Sequence, residues 1–138
     1  MPKVYLDTDV AFDIISKRTP HFEVSVKLLE LVIKDKIALL IGECSLSNLI
    51  YLSYDIYKIE GAASNLNDFI GACRVISGGN KLMNLALNSQ FSDKKYALQY
   101  YTAIHNGADY FITRNIKDYK KTNDNLPVLT PIEFLQSF

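Results

Sequence analysis

Two acidic residues in this chain stand just beyond hydrophobic runs. Asp7 follows Val4-Tyr5-Leu6 in VYLDTD, and Asp118 lies beyond Tyr110-Phe111-Ile112-Thr113 in YFITRNIKDY. A β-branched and aromatic run reads as a buried strand, and a carboxylate at its end is costly unless something uses it. Two such carboxylates side by side repel, so the pair would hold a cation or share a proton. Mg²⁺ or Mn²⁺ suits oxygen ligands and keeps several waters. Beside a helix start, such an ion can hold a phosphate diester and activate water for in-line attack. The plain alternative is that both acids are helix caps or loop acids with no metal. Spacing alone leaves the two readings open.

Whichever holds, the elements must bring the acids together. Strands are predicted at 4–6, 37–41, 74–77, 110–113 and 128–130. Between residues 21 and 36 the apolar side chains Phe22, Val26, Leu29, Val32 and Ile33 recur at helical spacing, with Glu23, Lys27, Glu30 and Lys34 among them. Further helices are predicted at 10–15, 45–58, 62–72, 81–87 and 93–105. A last short one opens at Pro131, a residue favoured in the first helical position. Thr8 or Asp9 is expected to cap the first helix, and Asp93 or Ser92 the one that Asn106-Gly107 stops. Strands that alternate with helices from end to end predict a three-layer α/β/α fold around a central parallel sheet. In such folds ligands bind outside the carboxyl ends of the strands. That edge is where Asp7, Glu43, Asn115 and Asp118 would lie.

With 138 residues, 49% of them apolar and 22% charged, the chain reads as one soluble globular domain spanning 1–138. Fifteen basic and fifteen acidic residues cancel, so no global field draws nucleic acid in, and any anion-binding surface has to be local. Cys44 and Cys73 lie in apolar segments without metal spacing and read as buried, reduced thiols. No signal peptide or membrane-length apolar stretch is evident, which points to the cytoplasm.

The pieces taken together resemble a known family. YLDTDVAFDII is similar to the opening of PIN-domain proteins, an apolar strand followed by Asp-Thr-Asn and an apolar helix. CSLSNLIYLSY resembles their second segment, SDKKYALQYYTAIHNGADYFITRNIKDY their third and fourth, and LPVLTPIEFL their closing strand and helix. The order, spacing and closing phrase look most like the bacterial branch related to VapC-type toxins. The resemblance implies a Mg²⁺- or Mn²⁺-dependent ribonuclease, an RNA substrate, a small antitoxin protein as partner and a homodimer.

Carried over residue by residue, the likeness is incomplete. It makes Asp7 the first catalytic acid and Asp118 the retained acid of the last motif, the two metal ligands. Thr8, Thr113 and Arg114 flank these acids as binding residues. Asp9 stands where Asn is commoner. Asn48 takes the place of the second acid, as in some relatives, and Asn115 holds a frequently acidic position. In the third motif Tyr96 replaces the usual acid and Lys95 the acid beside it, leaving Asp93 as a substitute catalytic carboxylate or a helix cap. An Asn48 oxygen can ligate a metal but adds no charge. A lysine about 4 Å from a divalent ion opposes it by roughly 8 kcal/mol at an effective dielectric near 20. The expectation is therefore a weakened metal site, with Lys95 bridging Asp7 or Asp118 in the cation's stead. The alternative is a PIN-like module that binds RNA or protein without turnover.

Other features are quieter. Lys94, Lys95, Arg114, Lys117, Lys120 and Lys121 could form a local basic rim for RNA phosphates, or a plain solvated surface. Tyr51, Tyr54 and Tyr57, three apart on one helix, form a stripe expected in the core or a dimer interface. His21 and His105 read as surface or helix-end residues, and Ser45 and Ser47 have no base beside them.

Overall fold

A computed structural model describes residues 1–119 and 126–138. Five strands, β1 (Lys3–Leu6), β2 (Ala38–Gly42), β3 (Cys73–Ile76), β4 (Tyr110–Ile112) and β5 (Val128–Leu129), form one parallel sheet in the order β3-β2-β1-β4-β5. The helices are α1 (Thr8–Ser16), α2 (His21–Ile33), α3 (Glu43–Tyr51), α4 (Ala62–Gly71), α5 (Gly79–Leu87), α6 (Lys94–His105) and α7 (Pro131–Ser137). A π turn (Leu52–Ile56) continues α3, and a 3-10 helix (Ile116–Tyr119) follows β4.

Alternation along the strands explains the layers. Val4, Leu6, Leu39, Ile41 and Ile112 point to one face, where Val10, Ile14, Leu28, Leu49, Leu66 and Phe134 join them in one core. Tyr5, Leu40 and Phe111 point to the other, against Ala86, Ala97, Tyr100 and Ala103 of α5 and α6. Both faces are covered, so the central strands carry unbroken apolar runs. The expected three-layer α/β/α architecture is what forms.

The order places β4 beside β1 although more than a hundred residues separate them, with Leu6 in register with Ile112. Pairing continues one step past the strands, where the Asp7 N–H donates to the Ile112 carbonyl at 2.9 Å. Asp7 and Thr113 therefore emerge together at the carboxyl edge, where the chain has turned from building one side of the sheet to the other. This crevice is the usual ligand position of an open parallel sheet.

Local details depart from expectation. The N-cap of α1 is Asp7 itself, whose side chain accepts from the Thr8 N–H at 2.8 Å, rather than Thr8 or Asp9. Asp93 does cap α6 as expected, its Oδ1 accepting from the Lys95 N–H at 2.9 Å. The third helix is not one regular helix over 45–58; it begins at Glu43 and widens into the π turn at Leu52. Gly42 closes β2 where an added Cβ would collide with the Tyr5 hydroxyl, so this position has no room for a side chain. No described helix is long and apolar enough to cross a membrane.

Candidate active site and nucleic-acid interface

Asp7 is only 3% exposed, and its carboxylate is almost fully engaged. Oδ1 accepts from the Thr8 N–H; Oδ2 accepts from Thr113 Oγ1 at 2.8 Å and from the Tyr119 hydroxyl at 3.0 Å. A carboxylate offers about four acceptor sites, so three are filled. Burial pushes the Asp7 carboxyl above its usual value; bonds from Thr113, Thr8 and Tyr119 oppose that, and the Asp118 charge adds to it. Burial, then the Asp7 charge, raise the Tyr119 phenol well above its ordinary value, which keeps it a donor.

Asp9 and Asp13 follow on α1. Asp9 Oδ1 accepts from the Val10 N–H and Oδ2 from the Arg114 N–H at 3.0 Å. Burial first, and the Asp7 charge next, push the Asp9 carboxyl up to about 6. Four residues on, Asp13 grips the Arg114 guanidinium with both oxygens, at 2.7 Å to Nε and 3.2 Å to Nη2. Such a fork is stronger and more directional than a point contact. It fixes the loop after β4 onto α1.

A buried chain of polar groups supports the same edge. The Tyr5 hydroxyl donates to Gln99 Oε1, which turns Gln99 Nε2 toward Thr8 Oγ1 at 2.9 Å. Thr8 Oγ1 in turn shares a 2.6 Å hydrogen bond with Ser45 Oγ. The chain ties β1, α1, α3 and α6 together beneath the site.

Over this floor opens a cavity of about 840 Å³. Asp7, Thr8, Asp9 and Asp13 line it from the β1–α1 side, Asn48 and Tyr51 from α3, Lys95, Tyr96 and Gln99 from α6, and Arg114 and Asn115 from the loop after β4. Thr113 is fully buried beneath, in contact with Asp7. Of the expected residues, Asp118 and Asp93 are not among the lining side chains. Asp118 is exposed on the 3-10 helix and reaches Asp7 through its charge. Asp93 is engaged as a cap.

The bridging role expected of Lys95 is not realised. The ion pair formed among the described residues is Arg114–Asp13, and Lys95 stands exposed on the cavity wall. Lys94 leaves the expected rim altogether, since its Nζ donates to the carbonyls of Ser89 and Phe91. Lys117 is exposed away from the lining, and Lys120 and Lys121 lie outside the described residues. Cys44 is exposed and lines the cavity instead of being buried, because the first turn of α3 faces the crevice. Glu43, beside it, does not line the cavity. Tyr51, Tyr54 and Tyr57 are about half exposed, not core.

Sequence reasoning missed Tyr119, Asp13, Gln99 and Arg18, and read Tyr57 only as part of the tyrosine stripe. Two had a legible signal: Asp13 lies one helical turn after Asp9, and Tyr119 directly follows Asp118. The Gln99 chain and the Arg18–Tyr57 pair depend on packing that no short motif spells out.

The arrangement defines a class: an open parallel α/β domain with an acid-floored cavity at the switch point, rimmed by cations, amides and phenols. The PIN domain family model matches residues 3–117, and the chain belongs to that family. Solved structures share the fold. One is a chain of VapBC2 from Rickettsia felis bound to a promoter DNA fragment, with a TM-score of 0.69, 24% identity, and 91% of this chain and 96% of that chain covered. Another is a chain of DNA-bound VapBC from Salmonella typhimurium, with a TM-score of 0.72, 18% identity, and 95% and 99% covered. No curated protein matches the chain.

PIN domains generally depend on a divalent metal, and the donor set here does not fit one well. Among the described residues no group of three or more His, Cys, Asp or Glu side chains is placed to hold an ion. Asp7 is occupied by hydroxyl and amide donors, and Lys95, Arg18 and Arg114 share the cavity. Tyr96, which the motif resemblance sets at an expected acid's position, presents a phenol kept protonated, its acidity lowered by burial and then by the charges of Asp118, Asp7, Asp93 and Asp9.

Proposed function

We propose that this protein is a PIN domain of the toxin–antitoxin type that binds single-stranded RNA in the cavity above Asp7. In this reading its metal-dependent phosphodiester hydrolysis is reduced to a trace. The observation that carries it is the pairing of Lys95 and Tyr96 on the cavity wall beside an Asp7 that already accepts three hydrogen bonds. Lys95 and Arg18 offer charge to phosphates, Asn48 and Asn115 offer amide donors and acceptors to sugar and base edges, and Thr8 and Arg114 shape the floor. A small antitoxin protein is the expected partner, in keeping with the VapBC assemblies that share the fold. One domain over 1–138, a homodimer and a cytoplasmic location belong to the same reading.

A second reading, a working Mg²⁺- or Mn²⁺-dependent ribonuclease using Asp7, Asp118 and Asp93, is favoured by one feature. The Asp7 and Asp9 carboxyls line the same cavity and each feels burial strongly. RNA cleavage in Mn²⁺ separates the two. The expected outcome is RNA binding with no more than trace cleavage by the native chain, and cleavage rising well above that trace when Lys95→Glu and Tyr96→Asp are combined. Cleavage by the native chain that disappears in Asp7→Asn would establish the enzyme instead.

A further inference from the structure

The three half-exposed tyrosines after β2 do not act as one stripe. On a regular α-helix a spacing of three would align Tyr51, Tyr54 and Tyr57, but the π turn at Leu52–Ile56 widens the coil between the first and the last. Such turns are rare and occur often at functional sites. As a result Tyr51 and Tyr57 both line the cavity, while Tyr54, equally exposed at 48%, does not.

Tyr57 is held in place by two neighbours. Its ring lies 5.0 Å from that of Phe12 at an interplanar angle of 41°, and the Arg18 guanidinium carbon sits 4.9 Å from its centroid. Despite these contacts it remains 49% exposed, and Tyr51 is 51% exposed. The held ring of Tyr57, the ring of Tyr51 and the planar Arg18 cation thus stand on the wall of a cavity whose other lining includes acids, amides, hydroxyls, Lys95, Arg114 and the rings of Phe12, His21 and Tyr96. The purely aliphatic lining is Leu52 and Leu98. The aliphatic anchors of a partner helix would meet mostly rings and polar groups there, whereas a flat, polar-edged π system matches both the rings and the amides.

We infer that Tyr57, with Arg18 packed on it and Tyr51 nearby, forms a stacking subsite for an unpaired nucleobase of single-stranded RNA. This rests on the RNA-binding reading and specifies how the strand is gripped: bases by the tyrosine wall, phosphates by Lys95 and the outer edge of Arg18. Aromatic rings stack on any base, so the subsite tolerates sequence.

Fluorescence anisotropy with labelled strands of about 12 nucleotides tests it. An oligouridine RNA is compared with a ribose-phosphate strand of equal length whose central positions are abasic. Tyr57→Ala and Tyr51→Ala are expected to weaken the intact strand about 10- to 100-fold and the abasic strand hardly at all. Tyr57→Phe, which keeps the ring, recovers the affinity, and Tyr54→Ala, off the cavity, matches the native chain. Unchanged binding by Tyr57→Ala would overturn the subsite alone, as would equal loss on both strands. So would disruption of a homodimer by Tyr57→Ala without any change in RNA affinity. Failure of the native chain to bind either strand would overturn the RNA-binding reading and the subsite with it.

Discussion

At the scale of single residues, the site is an economy of buried charge. Asp7 sits in a dry position because Thr113, Tyr119 and the Thr8 amide satisfy it. Removing one hydroxyl leaves a buried acceptor short, so Tyr119→Phe is expected to lower unfolding free energy by about 1–3 kcal/mol in urea titrations. Asp9 gives a pH-dependent signature. Its carboxyl releases its proton near pH 6 in the folded chain and at the ordinary, lower value when unfolded. The native state therefore holds more protons between those values, and stability from this group falls as pH rises through the window, by on the order of 2–3 kcal/mol. Urea unfolding between pH 4.5 and 7.5 should show that slope, and Asp9→Asn should flatten it. Asp7 was legible from its place after a strand. Its donors were not, because Thr113 and Tyr119 reach it only through β1–β4 pairing.

At the scale of elements, apolar patterning with cap and breaker signals located every strand and α-helix among the described residues to within a few positions, and missed the 3-10 helix Ile116–Tyr119. Boundaries moved where hydrogen bonding, not hydropathy, decides. Asp7 became the cap of α1 because its extended backbone lets the carboxylate turn back onto the Thr8 amide. The π turn was invisible, since tyrosines three apart suit a regular helix equally well. The Asp93 cap of α6 was anticipated as one of two roles, and it fixes the first turn of the helix that carries Lys95 and Tyr96. Asp93→Ala is expected to cost about 1 kcal/mol and lower the melting temperature, and Asp93→Asn, which still caps, is expected to retain most of that stability. Thermal denaturation followed by circular dichroism measures both.

At the scale of the whole molecule, alternating elements foretold a covered parallel sheet, but not the order β3-β2-β1-β4-β5. That order positions the candidate site, because it sets Asp7 beside Thr113 and folds the Arg114 loop onto Asp13. Balanced charge overall, with Arg18 and Lys95 as the cavity cations outside the Arg114–Asp13 pair, implies weak electrostatic attraction for RNA. About two phosphate contacts correspond to a slope of roughly −1.4 in log affinity against log salt. Binding isotherms between low and physiological salt should therefore be shallow. More direct is a calorimetric titration of Mn²⁺ into the native chain. The expected result is no saturable heat, with any affinity weaker than about 1 mM. Stoichiometric binding in the micromolar range that Asp7→Asn abolishes would show that the acids form a working metal centre after all.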